Sequence, residues 1–312
     1  MVTRRDFLKL SGAAAGTAAL AATGAVASSG STSKLDPARV GVLTDLTLCI
    51  GCRRCEWACA QQNQLPYGPL ESCDDQSLLA NARRPDAEHY TVINRYPAPT
   101  WREQPLDVKV QCMHCEHPAC VSACIVGALE KNPMGPVTYD PWKCIGCRYC
   151  MVACPFQIPA YEYHNALTPK VMKCTMCPER TLEKQQLPAC AEICPREAIL
   201  FGRRDELLEL AHERLSQHPD RYHPEVYGEH EVGGTSWLLI ADRPVTECGI
   251  PELSDQSPAA LTETIQHGIF RGFSGPLMIF GLLSVLMKSS TDRRRREDWD
   301  GEDQRDGEDK HG

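Results

Sequence analysis

Apolar residues along this chain come in short bursts, and one stretch keeps a helical period for several turns. From Arg204 to Ser216, Leu207, Leu208, Leu210, Ala211 and Leu215 recur between charged residues, which predicts an amphipathic surface helix. The turn residues between Lys131 and Gly135 lead into Val137–Asp140 and predict a hairpin with a short strand. The stretch from Glu231 to Pro244 reads as a glycine turn and one strand, and residues 251–268 as a polar linker. Loops and short strands account for the rest. Residues 60–111 form a long insertion punctuated by Pro and Asn, of the kind that meets partners.

The two chain ends break this pattern. Thr3, Arg4, Arg5, Asp6, Phe7, Leu8 and Lys9 make a twin-arginine motif, and an Ala- and Gly-rich stretch from Leu10 to Ala27 follows. Residues 1–27 are thus expected to be a Tat signal peptide, with Ala25, Val26 and Ala27 as a cleavage site, or the same segment as an N-terminal anchor. The Tat translocase would then carry the protein out already folded. At the other end, Phe273–Met287 carries no charge and extends back to Ile269 past Arg271, which predicts a transmembrane anchor at 269–288. Lys288 and Arg293–Arg296 mark a cytoplasmic flank by the positive-inside rule, with 289–312 as a disordered cytoplasmic tail. The body is therefore expected on the periplasmic face of the cytoplasmic membrane.

Composition changes the picture most through cysteine. Eighteen of 312 residues are Cys while aromatics make up only 6%, so metal or disulfides must do part of what apolar packing does elsewhere. A net charge of -8 argues against a nucleic-acid partner. Sixteen of the cysteines fall into four quartets: Cys49, Cys52, Cys55, Cys59; Cys112, Cys115, Cys120, Cys124; Cys144, Cys147, Cys150, Cys154; and Cys174, Cys177, Cys190, Cys194. The third, with Pro155 after it, reproduces the bacterial ferredoxin run. Three closely spaced thiolates wrap three corners of one cubane, and the fourth turns away to a neighbouring one. Quartets therefore work in pairs.

By that rule four [4Fe-4S] clusters are expected within a domain at 40–250. Cluster 1 would lie on Cys49, Cys52, Cys55 and Cys194, and cluster 2 on Cys59, Cys174, Cys177 and Cys190. Cluster 3 would lie on Cys112, Cys115, Cys120 and Cys154, and cluster 4 on Cys124, Cys144, Cys147 and Cys150. Structural zinc, a disulfide framework and a substrate-transforming site on this chain are the rivals. Zinc usually shows two separated cysteine pairs, adjacent short loops strain disulfides, and nothing in the sequence supports a catalytic site. Cys73 and Cys248 stand outside every quartet. His114 and His117 are expected to support or pack the second quartet, and Trp57, Trp142, Tyr161 and Tyr163 to shield clusters from water or pack loops.

The four-quartet pattern over residues 40–290 resembles the four-cluster ferredoxin-type subunits of membrane-bound molybdoenzymes and hydrogenases. Gln111-Cys-Met-His-Cys115, Gly146 to Pro155, Tyr227-Gly-Glu229 and Gly233-Gly-Thr235 are most similar to the hydrogenase-2 operon type, with formate dehydrogenase beta subunits as the alternative. The resemblance implies an electron-transfer subunit that is not itself an enzyme. Electrons would arrive from a hydrogenase small subunit, or a formate dehydrogenase catalytic subunit, and leave to an integral membrane quinone-reactive subunit. Cluster 1 would lie nearest the catalytic partner and cluster 4 nearest the membrane. The expected fold is α+β, irregular and cluster-organised: two pseudo-symmetric double-cluster ferredoxin-like modules and one C-terminal transmembrane helix. One departure is Ile125, where the family has proline after the cysteine, so the helix start after Cys124 is expected to be less rigid. The competing reading from another class is a structural assembly module stapled by metal.

Overall fold

Strand pairing among distant segments builds the frame. The computed structural model describes residues 35–98, 104–165, 170–260 and, toward the C-terminus, 263, 265, 275–276 and 278–292. Within the unit Ser31–Leu261, β1 (Val40–Asp45) is the central strand of a three-stranded sheet. It runs antiparallel to β8 (Ile199–Arg203) and parallel to β9 (Trp237–Ile240). The period-2 alternation of strand side chains divides two cores. Val42, Trp237 and Leu239 face the cysteine-bearing side, while Leu43, Leu238 and Ile240 meet Leu207 and Ala211 of α5 (Arg204–Gln217). The helix expected at 204–216 and the strand expected after Gly234 are both present.

The insertion is more ordered than its composition implied. β2 (Thr91–Tyr96) and β3 (Leu106–Gln111) form an antiparallel hairpin whose register pairs Ile93 with Lys109. Two smaller hairpins follow: β4 (Leu129–Lys131) with β5 (Val137–Tyr139), and β6 (Ala160–Tyr161) with β7 (Val171–Met172).

Each quartet carries its last two cysteines four residues apart across a short helix. These helices are α1 (Arg54–Asn63), α2 (Ala119–Ser122), α3 (Tyr149–Ala153) and α4 (Ala189–Glu192). A spacing of four displaces the fourth thiol by about one helical turn, roughly 5–6 Å, from the third. α1 packs against α4 and α2 against α3, so the first quartet neighbours the fourth and the second neighbours the third.

Three expectations are corrected here. First, the described residues hold no helix long and apolar enough to cross a membrane. A span needs about 20 apolar residues, whereas the described helical stretch 278–292 turns polar at Lys288, with Ser289, Ser290, Thr291 and Asp292 following. The anchor at 269–288 is corrected accordingly, and with it the membrane-anchored periplasmic localisation. Residues 269–274 and 277, the signal segment 1–27 and the tail from 293 onward lie outside the described residues.

Second, no three His, Cys, Asp or Glu side chains among the described residues are placed to hold one metal ion. Ligands of a single ion converge to about 2.0–2.3 Å from it; cysteines of the first and fourth quartets open onto shared cavities. Third, no helix starts after Cys124. A turn closes there, from the Gly127 N–H to the Cys124 carbonyl at 3.1 Å, matching those at Gln157 with Cys154 and Glu197 with Cys194. Proline and isoleucine both fit the second position of such a turn.

Candidate iron–sulfur site

Two cavities share Lys109 of β3 in their walls. One, of about 420 Å³ including space open to solvent, is lined by Cys49, Cys52, Cys55 and Cys194 with Ile93 and Pro195. The other encloses about 330 Å³ and is lined by Cys59, Cys174, Cys177 and Cys190 with Trp237 and Met176. The remaining eight sequence-predicted cysteines are those of the second and third quartets, which the packing of α2 on α3 makes neighbours. Burial pushes the Cys115 thiol well up, and the thiols of Cys112, Cys120 and Cys154 push it further. Burial likewise pushes Cys150 up to about 11, helped by Cys124, Cys144 and Cys147.

Single thiols also link one group to the next. The thiol of Cys190 acts on Cys55, that of Cys112 on Cys174, and that of Cys150 on Cys120, each behind the larger effect of burial. The four groups therefore form a series. Burial raises Cys49, Cys120 and Cys174 to about 12 and Cys59 well above its ordinary value. Such thiols ionise only where positive charge offsets the lost hydration.

The loops supply part of that offset. In the two Cys-Ile-Gly-Cys-Arg runs, Gly51 (φ 67) and Arg53 (φ 57), and again Gly146 (φ 71) and Arg148 (φ 60), are left-handed. This conformation turns successive N–H groups inward and makes a cradle for anions. The glycines are required twice over. A Cβ on Gly51 would stand 2.6 Å from the Asp107 carboxylate, and one on Gly146 would stand 2.5 Å from the Tyr161 hydroxyl. The Gly146 N–H donates to Cys144 Sγ at 3.4 Å and the Ala128 N–H to Cys124 Sγ at 3.1 Å. The Asn63 side-chain amide reaches Cys59 Sγ at 3.6 Å.

A family model for a 4Fe-4S dicluster domain matches residues 107–204. The chain is 50% identical over 250 residues to a protein of Nitratidesulfovibrio vulgaris, covering 80% of this chain and 67% of that one. It is 35% identical over 286 residues to the hydrogenase-2 operon protein HybA of Escherichia coli O157:H7, covering 82% and 86%. It is also 35% identical over 223 residues to the iron-sulfur subunit of the nitrate-inducible formate dehydrogenase of Escherichia coli K12, covering 69% and 73%. The chain belongs to the family of 4Fe-4S electron-transfer subunits associated with hydrogenase and formate dehydrogenase complexes. Like the rest of that family it is a non-catalytic iron–sulfur subunit of a membrane-bound complex of the molybdoenzyme or hydrogenase type.

The residues of this family member fit cubane clusters. His114 is fully buried, and its Nδ1 accepts the Val137 N–H at 2.9 Å, so the ring proton sits on Nε2. That nitrogen is buried without a partner, inside the second cysteine loop, where a cluster sulfur would supply the acceptor. Burial, with Lys173, Lys131 and Lys109 behind it, holds the His114 pKa well below the usual range, and the ring is neutral. His114 therefore supports the loop and is not a metal ligand. His117 packs beside Gly233, and its carbonyl accepts the Ser257 hydroxyl at 2.9 Å. The described cysteines, which include all eighteen, are free of disulfides.

Two expectations about shielding do not hold. Trp142 is 96% exposed and Tyr163 64% exposed, so neither keeps water from a cluster. Tyr161 packs against the Gly146 loop, the other role expected of these aromatics. The sequence reading also missed three buried lysines, Lys109, Lys131 and Lys173. Lys109 alternates with apolar residues in Leu106–Gln111, a pattern that ordinarily puts lysine on a solvated face.

Proposed function

We propose that the chain carries four [4Fe-4S] clusters and conducts electrons along them, from a hydrogenase small subunit to an integral membrane quinone-reactive subunit. The ligand sets are Cys49, Cys52, Cys55 and Cys194; Cys59, Cys174, Cys177 and Cys190; Cys112, Cys115, Cys120 and Cys154; and Cys124, Cys144, Cys147 and Cys150. A cubane is ligated at its corners, so its thiolates stand further apart than the ligands of one ion. When bound, the clusters supply one-electron redox chemistry, and the chain's residues hold them in line, exclude water and donate N–H groups to sulfur.

The observation that carries this reading is the unbroken series of thiol neighbours, Cys55 to Cys190, Cys174 to Cys112 and Cys120 to Cys150. The exit is assigned to the fourth group because Cys147 is exposed and is flanked by exposed Ile145, Tyr149 and Val152. A hydrogenase partner is favoured over a formate dehydrogenase because the hydrogenase-2 operon protein matches at 35% identity over 286 residues, whereas formate dehydrogenase subunits match at 35% over 223 residues or 31% over 258. Cys147→Ser in the assembled complex tests both assignments. Hydrogen oxidation with a soluble dye should persist while quinone-linked turnover is lost. Loss of both would refute the exit assignment, and a complex that oxidises formate but not hydrogen would refute the partner.

A further inference from the structure

Lys109 is the one residue that lines both cavities of the first and fourth quartets. It projects from the middle of β3 and is 2% exposed. Its Nζ donates to Thr91 Oγ1 at 2.7 Å and to Gln111 Oε1 at 3.1 Å, and lies 4.6 Å from the centre of the Trp237 ring. An ordinarily flexible side chain is thus fixed at three points. No carboxylate pairs with it among the described residues. Lys131 and Lys173 differ, since each donates to two backbone carbonyls, those of His114 and Gly135 for the first, which also reaches the Ser236 hydroxyl, and those of Val137 and Cys174 for the second.

Burying an ammonium without a counter-charge is costly, and neutral oxygens do not supply one. The sulfur neighbours of Lys109 are Cys55, which lines the first cavity, and Cys59, Cys174 and Cys190, which line the second. The Thr91 and Gln111 oxygens accept from the group and the Trp237 ring face lies beside it, surroundings that suit the ammonium form. A fixed cation beside a cluster stabilises the added electron more than the oxidised state, which raises the potential. One cation between two clusters acts on both.

We propose that Lys109 is the positioning residue that sets the potentials of the clusters on Cys49, Cys52, Cys55 and Cys194 and on Cys59, Cys174, Cys177 and Cys190 together. This rests on the four-cluster reading above. It makes the first two steps of the wire a matched pair governed by one side chain.

The test is an EPR-monitored redox titration of the anaerobically purified full chain, comparing wild type with Lys109→Met, Lys109→Gln and Lys109→Arg. Two of four midpoint potentials should fall in the Met and Gln variants, with the other two unmoved and the Arg variant close to wild type. Four wild-type potentials in a neutral variant that holds all its clusters would overturn the proposal, as would an equal shift of all four. The Gln variant retains polar contact with Thr91 and Gln111, so it covers a Met variant that fails to assemble. Assembly lost in both neutral variants and kept in Arg expresses the same need for charge, whereas assembly lost in all three would overturn it in favour of packing. A wild type with fewer than four clusters would instead defeat the four-cluster reading itself.

Discussion

Trp237 joins the sheet, the insertion hairpin and the second cavity, so its removal tests how far the fold and the site are one structure. The ring is fully buried in β9, its Nε1 donates to Thr44 Oγ1 at 2.9 Å, and Lys109 lies over its face. Trp→Ala in a packed core costs about 3–5 kcal/mol. The indole hydrogen bond contributes about 1 kcal/mol, and the cation contact about 0.5–2 kcal/mol. One side chain makes all of these contacts, so they overlap, and the expected loss for Trp237→Ala is about 4–5 kcal/mol. For a unit of this size each kcal/mol is worth about 2–4 °C, which gives a fall of roughly 8–20 °C in melting temperature. Trp237→Phe keeps most of the buried ring and loses the N–H, so about 1–2 kcal/mol is expected. Thermal unfolding followed by near-ultraviolet circular dichroism and by visible absorbance reads both variants. An Ala variant melting within about 2 °C of wild type, or a Phe variant as unstable as the Ala variant, would refute the reasoning.

Three further outcomes follow from the same structure. Asp45 is buried and holds Arg214 at 2.9 Å, the Tyr222 hydroxyl at 2.7 Å and the Thr47 hydroxyl at 2.6 Å. Asp45→Ala should cost about 3–5 kcal/mol by urea unfolding, with Asp45→Asn at about 1–3 kcal/mol, and equal midpoints for the two would contradict the ion-pair account. Gly146→Ala, at φ 71 and against the Tyr161 hydroxyl, should destabilise its loop by at least about 1 kcal/mol. It should release iron to a chelator faster than wild type, and an unchanged rate would show that the loop accepts a side chain. Stripping iron should leave the buried lysines without counter-charge, so far-ultraviolet circular dichroism should fall together with the visible chromophore. A bleached protein that keeps its full secondary structure would show that sheet pairing alone sustains the fold.

Local signals in the sequence were legible where chemistry and spacing coincide. The quartets are visible because a short loop can aim three thiols at one centre only at such spacings, and α5 is visible because its apolar stripe repeats with the helix. The β2–β3 hairpin was hidden inside the Pro- and Asn-rich insertion. Its second strand alternates Leu106, Val108 and Val110 with Asp107, Lys109 and Gln111, the pattern of a strand with one solvated face, yet Asp107, Lys109 and Gln111 are buried too. The role of Lys109 is a long-range fact, since Thr91, Trp237 and the cysteines reach it from separate parts of the chain. The C-terminal helix was overread: its apolar run was extended across Arg271 to reach a spanning length, and the helix among the described residues does not reach one. The cap expected after Cys124 was read as a helix start because proline suits both that position and a turn, and the structure has the turn.

The most direct test of the four-cluster account is iron and acid-labile sulfide per polypeptide on anaerobically purified protein, with EPR spectra before and after dithionite. The account predicts about sixteen iron atoms, with magnetically coupled signals from reduced clusters. About eight iron atoms, or zinc without labile sulfide, would contradict it.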